Sequence, residues 1–367
     1  MKAFFVAGIG IAVFIEFLLI TKKNKSESDK ILTVWMFLIA FHLFLFYLFF
    51  SGDIYDVPFL LGVEQPVPIL HGIFLYFYVG LLTKQLPKNR KLLVLHFLPI
   101  CVTYAYLATF FLLPADQKIQ IYRNHGAGYE WFLLVRWYGL AFFGLFYVTW
   151  SALLLRKHEK NIRDQFSNLE KVNLHWLRLL TYGLGGIWLL VIFFRTDVLT
   201  YAGVVVFVFL IGFFGVRQGE IFGHGLLQPE STEQKKKYPK SGLTDEASAK
   251  LHQALIQLMT ENQLYKKSEL SIDDLSSKLG VHPNYLSQII NQKEEKNFYD
   301  FVNTYRLEEF KRLIAMPRNQ NLTLLSVAFD CGFNSKSSFN RYFKKATGQT
   351  PSEYFTALLE SQSAPSS

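Results

Sequence analysis

Two hydrophobic patterns divide the chain. Up to about residue 216, apolar residues come in long runs with almost no polar stripe. From about residue 250 they recur at three- and four-residue spacing, with polar residues between them. A bilayer's hydrocarbon core is crossed by about 20 apolar residues in a helix. The runs Ala3–Ile20, Ile31–Phe50, Val67–Leu82, Leu92–Leu113, Trp131–Leu155, Trp176–Phe194 and Val198–Val216 come near that length, so seven spanning helices are expected over 1–216. The first run follows Met1-Lys2, as a signal peptide would. It is longer than an h-region, lacks a small-residue cleavage site and precedes Lys22, Lys23 and Lys25, so it is expected to be retained as an anchor.

The periodic part predicts helices. Leu251, Leu255, Leu258 and Met259 mark one. Ser271, with Asp274 three residues on, forms a capping box for IDDLSSKLG, and Gly280-Val281 makes a tight turn into PNYLSQIIN. In that second helix Leu286, Ile289 and Ile290 point inward, while Asn284, Ser287, Gln288 and Asn291 point out. The arrangement returns 52 positions later, where Gly332-Phe333 matches Gly280-Val281. Here Asn334 or Ser335 caps the next helix, Phe339, Tyr342 and Phe343 face inward, and Lys336, Ser337, Asn340, Arg341 and Lys344 face out. Asn297–Ile314 reads as one long amphipathic helix between the repeats. Thr350-Pro351-Ser352-Glu353 reads as a capping box with proline at the first helical position. The expected fold is therefore all-α: seven spans over 1–216, a linker over 217–249, and a domain over 250–358. That domain holds two helix-turn-helix units, about 272–292 and 323–346, joined by the long helix, and a disordered tail follows over 359–367.

Charge settles the expected orientation. Loop one carries Lys22, Lys23, Lys25 and Lys30; loop three carries Lys84, Lys88, Arg90 and Lys91; loop five carries Arg156, Lys157, Lys160, Arg163 and Lys171. Loop two has no basic residue, loop four only Lys118 and Arg123, and loop six only Arg195. By the positive-inside rule the odd loops are cytoplasmic, which puts the N-terminus outside and the C-terminal half inside. The chain is thus expected to be a multi-pass membrane protein with its C-terminal half in the cytoplasm; with the helix-turn-helix resemblance given below, the membrane is expected to be the inner membrane of a bacterium.

Composition adds little to this. The chain has 367 residues, a net charge of +9 and 17% aromatic residues. From Lys235 onward, 18 basic residues face 14 acidic ones, which permits DNA binding without arguing for it. Lys235, Lys236 and Lys237 in the linker can rest on anionic lipid. Cys101 and Cys331 lie in different parts, so neither a disulfide nor a metal framework is implied. No metal-binding HExxH, phosphate loop or nucleophile elbow is present, and no catalytic residue, cofactor or metal is assigned.

Ionisable residues inside spans are costly, roughly 2.5–3.5 kcal/mol for a central charge, so each asks for a reason. Glu16 and His96 share a depth near the cytoplasmic side, and Arg178 lies closer still. His42 lies near the middle of its span. His71 and Arg136 share a depth near the outer side and form a candidate pocket for an anionic signal, whether a small molecule or an envelope component. The alternative is that they only fix helix packing. Gly183, Gly185 and Gly186 are expected to allow close helix approach.

The stretch from about Leu243 to Tyr354 resembles the AraC-type (AraC/XylS) DNA-binding domain. The second unit carries the resemblance through Val327-Ala328, Gly332-Phe333, Phe339, Arg341, Phe343-Lys344-Lys345, Gly348 and Pro351-Ser352-Glu353-Tyr354. The first carries it through Leu275, Gly280-Val281, Pro283 and Tyr285-Leu286-Ser287. The sequence departs from the family pattern at Phe355, where a basic residue is frequent, and at Gln288, where many members have Arg. The resemblance implies a transcription regulator that reads two successive major grooves of double-stranded DNA. Base-edge readers would be Asn284, Ser287 and Gln288 in the first unit and Lys336, Ser337, Asn340 and Arg341 in the second, with Asn291, Lys344 and Lys345 on the backbone. The membrane half would then sense a signal or hold a homodimer. A transporter or membrane enzyme with an accessory DNA-binding domain is the rival, and proteolytic release of that domain is a third reading.

Overall fold

The computed structural model describes residues 1–89, 91–168, 175–217, 245–316 and 322–363. Most of the expected linker (218–244, with Lys235, Lys236 and Lys237) lies outside the described residues, as do Arg90, Lys171 and 364–367. Among the described residues the fold is all-α, with no strand and a single isolated bridge between Phe166 and Ser271. The chain forms two compact units. The first comprises the described residues of Met1–His158 with two later helices; the second comprises the described residues from Glu159 to Asn168 and from Asp245 on.

In the first unit α1 (Lys2–Thr21), α2 (Glu27–Ser51) and α3 (Val67–Leu82) pack in sequence, and α1 also packs on α10 (Asp197–Arg217), which packs on α9 (His175–Phe194). The helices α1, α2, α8 (Glu130–Arg163), Trp176–Phe194 of α9 and Asp197–Phe214 of α10 are long and apolar enough to cross a membrane. Two expected spans differ from the sequence reading. At 16 residues, α3 is roughly 24 Å long, short of a core near 30 Å, and it is the most enclosed helix, with Ile73, Leu75, Tyr76 and Val79 buried. The run Leu92–Leu113 is broken into α4 (Lys91–Val94), a 3-10 turn at Leu95–Phe97, α5 (Leu98–Tyr106) and α6 (Ala108–Phe111). Pro99 has no N–H to give the carbonyl four residues back, which accounts for the first break.

Loop four is not a bare connection either. It contains α7 (Ala115–Arg123), whose Lys118 is buried and donates to the Phe111 carbonyl at 2.8 Å. Close helix approach at Gly183 and Gly185 agrees with the structure, since a Cβ there would meet Phe207 and Val148; at Gly186 it would meet nothing.

The second unit runs α11 (Asp245–Thr260), α12 (Ile272–Leu279), α13 (Pro283–Glu294), α14 (Phe298–Ile314), α15 (Leu324–Asp330), α16 (Lys336–Thr347) and α17 (Pro351–Ser363). Its two cores meet on α14. Phe298, Phe301 and Val302 enter a cluster with Leu255, Leu275, Leu286 and Ile290, while Leu307, Phe310 and Ile314 enter one with Val327, Phe339 and Phe343. One roughly 25 Å helix therefore carries both helix-turn-helix cores. Both turns close the same way: Val281 N–H donates to Ser276 O at 3.0 Å and Phe333 N–H to Ala328 O at 3.1 Å, across Gly280 at φ +67 and Gly332 at φ +97. Cys331 is buried beneath the second turn, and burial pushes its thiol up to about 12, so it packs as an inert apolar group. The last helix continues to Ser363, five residues into the expected disordered tail. Its Thr350–Glu353 capping box and the packing of Leu358 hold it.

The two positive-φ glycines of the second repeat predict different sensitivities. Gly332→Ala adds a Cβ against the Tyr265 and Lys266 backbone and is expected to destabilise the unit by more than about 2 kcal/mol. Gly348, at φ +78 with open space around it, should cost only the left-handed strain, about 1 kcal/mol. Hydrogen exchange of peptides over α15 and α16 in the solubilised full-length protein checks the order, and equal effects would contradict it.

Candidate nucleic-acid interface

Local hydrogen bonds set the starts of α12, α13 and α16. Ser271 and Asp274 form the expected capping box at α12, with Asp274 N–H donating to Ser271 Oγ at 3.2 Å and Ser271 N–H to Asp274 Oδ2 at 2.8 Å. Of the two candidates for the α16 cap, Ser335 does it, accepting from Ser338 N–H at 3.1 Å. The cap of α13 is His282, whose Nδ1 accepts from Asn284 N–H at 3.2 Å. Sequence reasoning missed it because histidine is not a preferred cap residue.

Every predicted base-reading residue lies on α13 or α16. Asn284, Gln288, Lys336, Ser337, Asn340 and Arg341 are exposed and Ser287 is half-buried. Leu286, Ile289 and Ile290 of α13 and Phe339, Tyr342 and Phe343 of α16 are buried on the opposite faces. Among the described residues, no side-chain hydrogen bond or ion pair engages Gln288, Lys336, Asn340 or Arg341, so these groups are available to a ligand. Two other candidates are occupied. Asn291 donates to Ser287 O at 2.8 Å, within its own helix. Lys345 pairs with Asp300 of α14 at 2.9 Å, whereas among the described residues no ion pair engages the exposed Lys344. Lys345 therefore ties α16 to the shared helix as well as facing outward.

In the first unit, His71 and Arg136 both line a cavity of about 470 Å³. They are not bonded to each other in the structure: Arg136 Nε donates to Gln65 O at 3.2 Å. His71 instead enters a chain that sequence reading did not assemble. Trp35 Nε1 donates to His71 Nδ1 at 3.3 Å, His71 Nε2 and His42 Nδ1 are 3.0 Å apart, and Tyr201 Oη lies 2.7 Å from His42 Nε2. Arg195 also lines the cavity, with its guanidinium 4.3 Å from the Trp137 ring centroid. His96 lies apart from this site and hydrogen-bonds Tyr147 Oη at 2.8 Å.

Residues 275–357 match a family described as a helix-turn-helix domain. The C-terminal region is similar to HTH-type transcriptional regulators described as uncharacterized. YobQ of Bacillus subtilis (strain 168) is 38% identical over 89 residues, covering 24% of this chain and 36% of the relative. YijO of Escherichia coli (strain K12) is 33% identical over 87 residues, covering 24% and 30%. SACOL0084 of Staphylococcus aureus (strain COL) is 33% identical over 92 residues, covering 25% and 12%. The chain thus spans little more than a third of the length of these relatives at most. No solved structure matches.

The two neighbouring lysines separate under a salt titration of DNA binding. Lys344→Ala is expected to lower the slope of log K against log salt by about 1. Lys345→Ala should lower it by less, because Asp300 already neutralises that charge in the free protein. Equal losses would mean that the Asp300 pair breaks on binding.

Proposed function

We propose that this chain, whose C-terminal region is an AraC-type helix-turn-helix domain, is a membrane-anchored, sequence-specific transcription regulator. The observation that carries the reading is the pair of polar faces on α13 and α16, built on two cores that share α14. A helix pair held at fixed spacing suits successive major grooves on one side of a duplex. Arg341 suits a guanine edge and Gln288 or Asn340 an adenine edge, with Lys336, Ser337, Asn284 and Ser287 beside them. Lys344 and the helix starts suit phosphates, and Asn291 and Lys345 lie at the margins of that track.

The apolar helices of the first unit support the anchor. α1 exposes Val6, Val13, Phe14 and Phe17, and α8 exposes Val135, Phe142 and Leu153, surfaces that suit lipid better than water. In this reading α3 and the broken α4–α6 run complete seven spans, with the DNA-binding half in the bacterial cytoplasm. The His71–Arg136 cavity is the signal site, and its two guanidinium groups among indole and imidazole rings fit a small anionic compound. Tethering concentrates the DNA-binding domain near the membrane and favours paired half-sites if the protein dimerises. The imidazole chain from His71 to Tyr201 would also suit a proton path in a transporter; proton-coupled uptake by the reconstituted protein would favour that rival.

Two measurements follow. Arg341→Ala should cost about 1–3 kcal/mol of specific DNA affinity and relax one base position, read by titrating full-length protein on selected duplexes; unchanged affinity and preference would count against the assignment. Thermal-shift screening against small carboxylates, sulfonates and phosphates should find stabilising compounds that bind about tenfold or more weakly to Arg136→Gln. A panel without such compounds, or compounds indifferent to Arg136, would sink the cavity reading.

A further inference from the structure

The second unit contains a segment that is remote in sequence from the DNA-binding domain. Directly after α8, the chain from Gln165 to Asn168 lies against Leu270–Ile272, the residues that lead into α12. Ser167 N–H donates to Leu270 O at 3.2 Å and Ile272 N–H donates to Gln165 O at 3.0 Å, flanking the Phe166–Ser271 bridge as an antiparallel pair. Ser167 Oγ adds a 2.6 Å bond to Leu270 O. Ser271 is the cap of α12, so the segment is paired with the first residue of the first helix-turn-helix.

The same segment completes the surroundings of a buried cation. Arg306 of α14 is 1% exposed, and its guanidinium donates to Tyr265 O at 2.7 Å and Lys267 O at 2.8 Å. Further donations go to Ser167 O at 3.4 Å and Ser167 Oγ at 3.2 Å. Asn303, also 1% exposed, donates to Ser167 O at 3.2 Å. Burial lowers the Arg306 guanidinium to about 10, which leaves it charged at neutral pH and in need of these acceptors.

The segment has little slack on its other side. Asp164 N–H donates to Lys160 O at 3.1 Å and Phe166 N–H to Ile162 O at 2.9 Å, so the strap begins within hydrogen-bond reach of the last turn of α8. α8 itself is 34 residues, roughly 51 Å, well beyond a hydrocarbon core. The other covalent connection in sequence, 218–244, lies outside the described residues and carries four glycines, two prolines and four lysines.

We propose that the strap Gln165–Asn168 is the element through which the membrane half acts on the DNA-binding half: its docking on Leu270–Ile272, Asn303 and Arg306 makes α8, rather than the 218–244 connection, the transmitting link. Displacing the strap would remove acceptors from Arg306 and an edge partner from the α12 start, and α14 would carry the change to both reading helices. The proposal rests on the regulator reading for its output, but the docking itself does not.

Two experiments on the full-length protein in lipid nanodiscs decide it. In a Cys101→Ser background, the Phe166→Cys/Ser271→Cys pair should form an intrachain disulfide under mild oxidation, because a non-hydrogen-bonded antiparallel pair brings Cα atoms to about 4.5 Å. Ser271→Cys alone is the reference for loss of the cap. Without the introduced cysteines, Ile272 N–H should exchange slowly in the unaltered protein and at least about tenfold faster in Ser167→Pro. Absence of both the cross-link and the protection overturns the docking.

For the coupling, a Gly-Ser-Gly-Ser insertion after Arg163 should change DNA affinity about fivefold or more, the range of typical allosteric couplings, while the same insertion after residue 230 should not. An unchanged affinity after the first insertion, or an equal change after the second, overturns the coupling. Failure of the unaltered protein to bind any duplex would overturn the regulator reading instead, and the cross-link would still decide the docking.

Discussion

A guanidinium removed from water needs acceptors in fixed places, and Arg306 draws them from parts of the chain that have nothing else in common. Tyr265 and Lys267 come from the loop before α12, and Ser167 comes from the strap that follows α8. Gly332 backs onto the same place, since a Cβ there would meet Tyr265 O and Arg306 Nε, and Phe333 lies 6.0 Å from the guanidinium. The turn of the second helix-turn-helix, the entry to the first and the strap are thus referred to one buried charge on α14. Of these, the entry loop and the strap supply acceptors, so removing either leaves that charge short of them.

The polar groups of the first unit follow the same rule at lower charge. His42, His71, Trp35 and Tyr201 satisfy one another in a chain, and Arg136 uses the Gln65 carbonyl. Gln65 belongs to a second small network, in which Tyr122 Oη donates to Glu64 Oε1 at 2.7 Å and accepts from Gln65 Nε2 at 3.0 Å. These networks join helices that lie far apart in sequence, and in a low-dielectric setting they specify which helices meet.

Much of the C-terminal unit was legible because its signals are local. Ser271 with Asp274, Ser335, Gly280, Gly332 and Thr350 with Glu353 each act within about five residues, and each does in the structure what its spacing implies. The inward faces of α13 and α16 follow from periodicity alone. What failed did so for physical reasons. The run Leu92–Leu113 is apolar throughout, and hydropathy does not register that Pro99 withholds a donor. His282 as a cap is local but lies outside the usual cap residues, whereas Asp300 as the partner of Lys345 depends on where a neighbouring helix arrives. The expected domain end at 358 falls five residues before the end of α17, whose Leu358 contact lies outside any local pattern.

By itself the sequence determined the all-α class, the change of hydropathy pattern near residue 216, the capped helices and glycine turns of the C-terminal part and the side chains that point away from their cores. Those properties depend on periods of three and four residues, on backbone sign at glycine and on capping bonds, all short-ranged along the chain. Only the tertiary structure decided that His71 answers to His42 rather than to Arg136, that Lys345 is committed to Asp300, and that Ser167 reaches across 139 positions to Arg306. A hydrogen bond depends on distance and angle in space, and no pattern along the chain encodes which carbonyl will lie within 3.5 Å of a buried guanidinium.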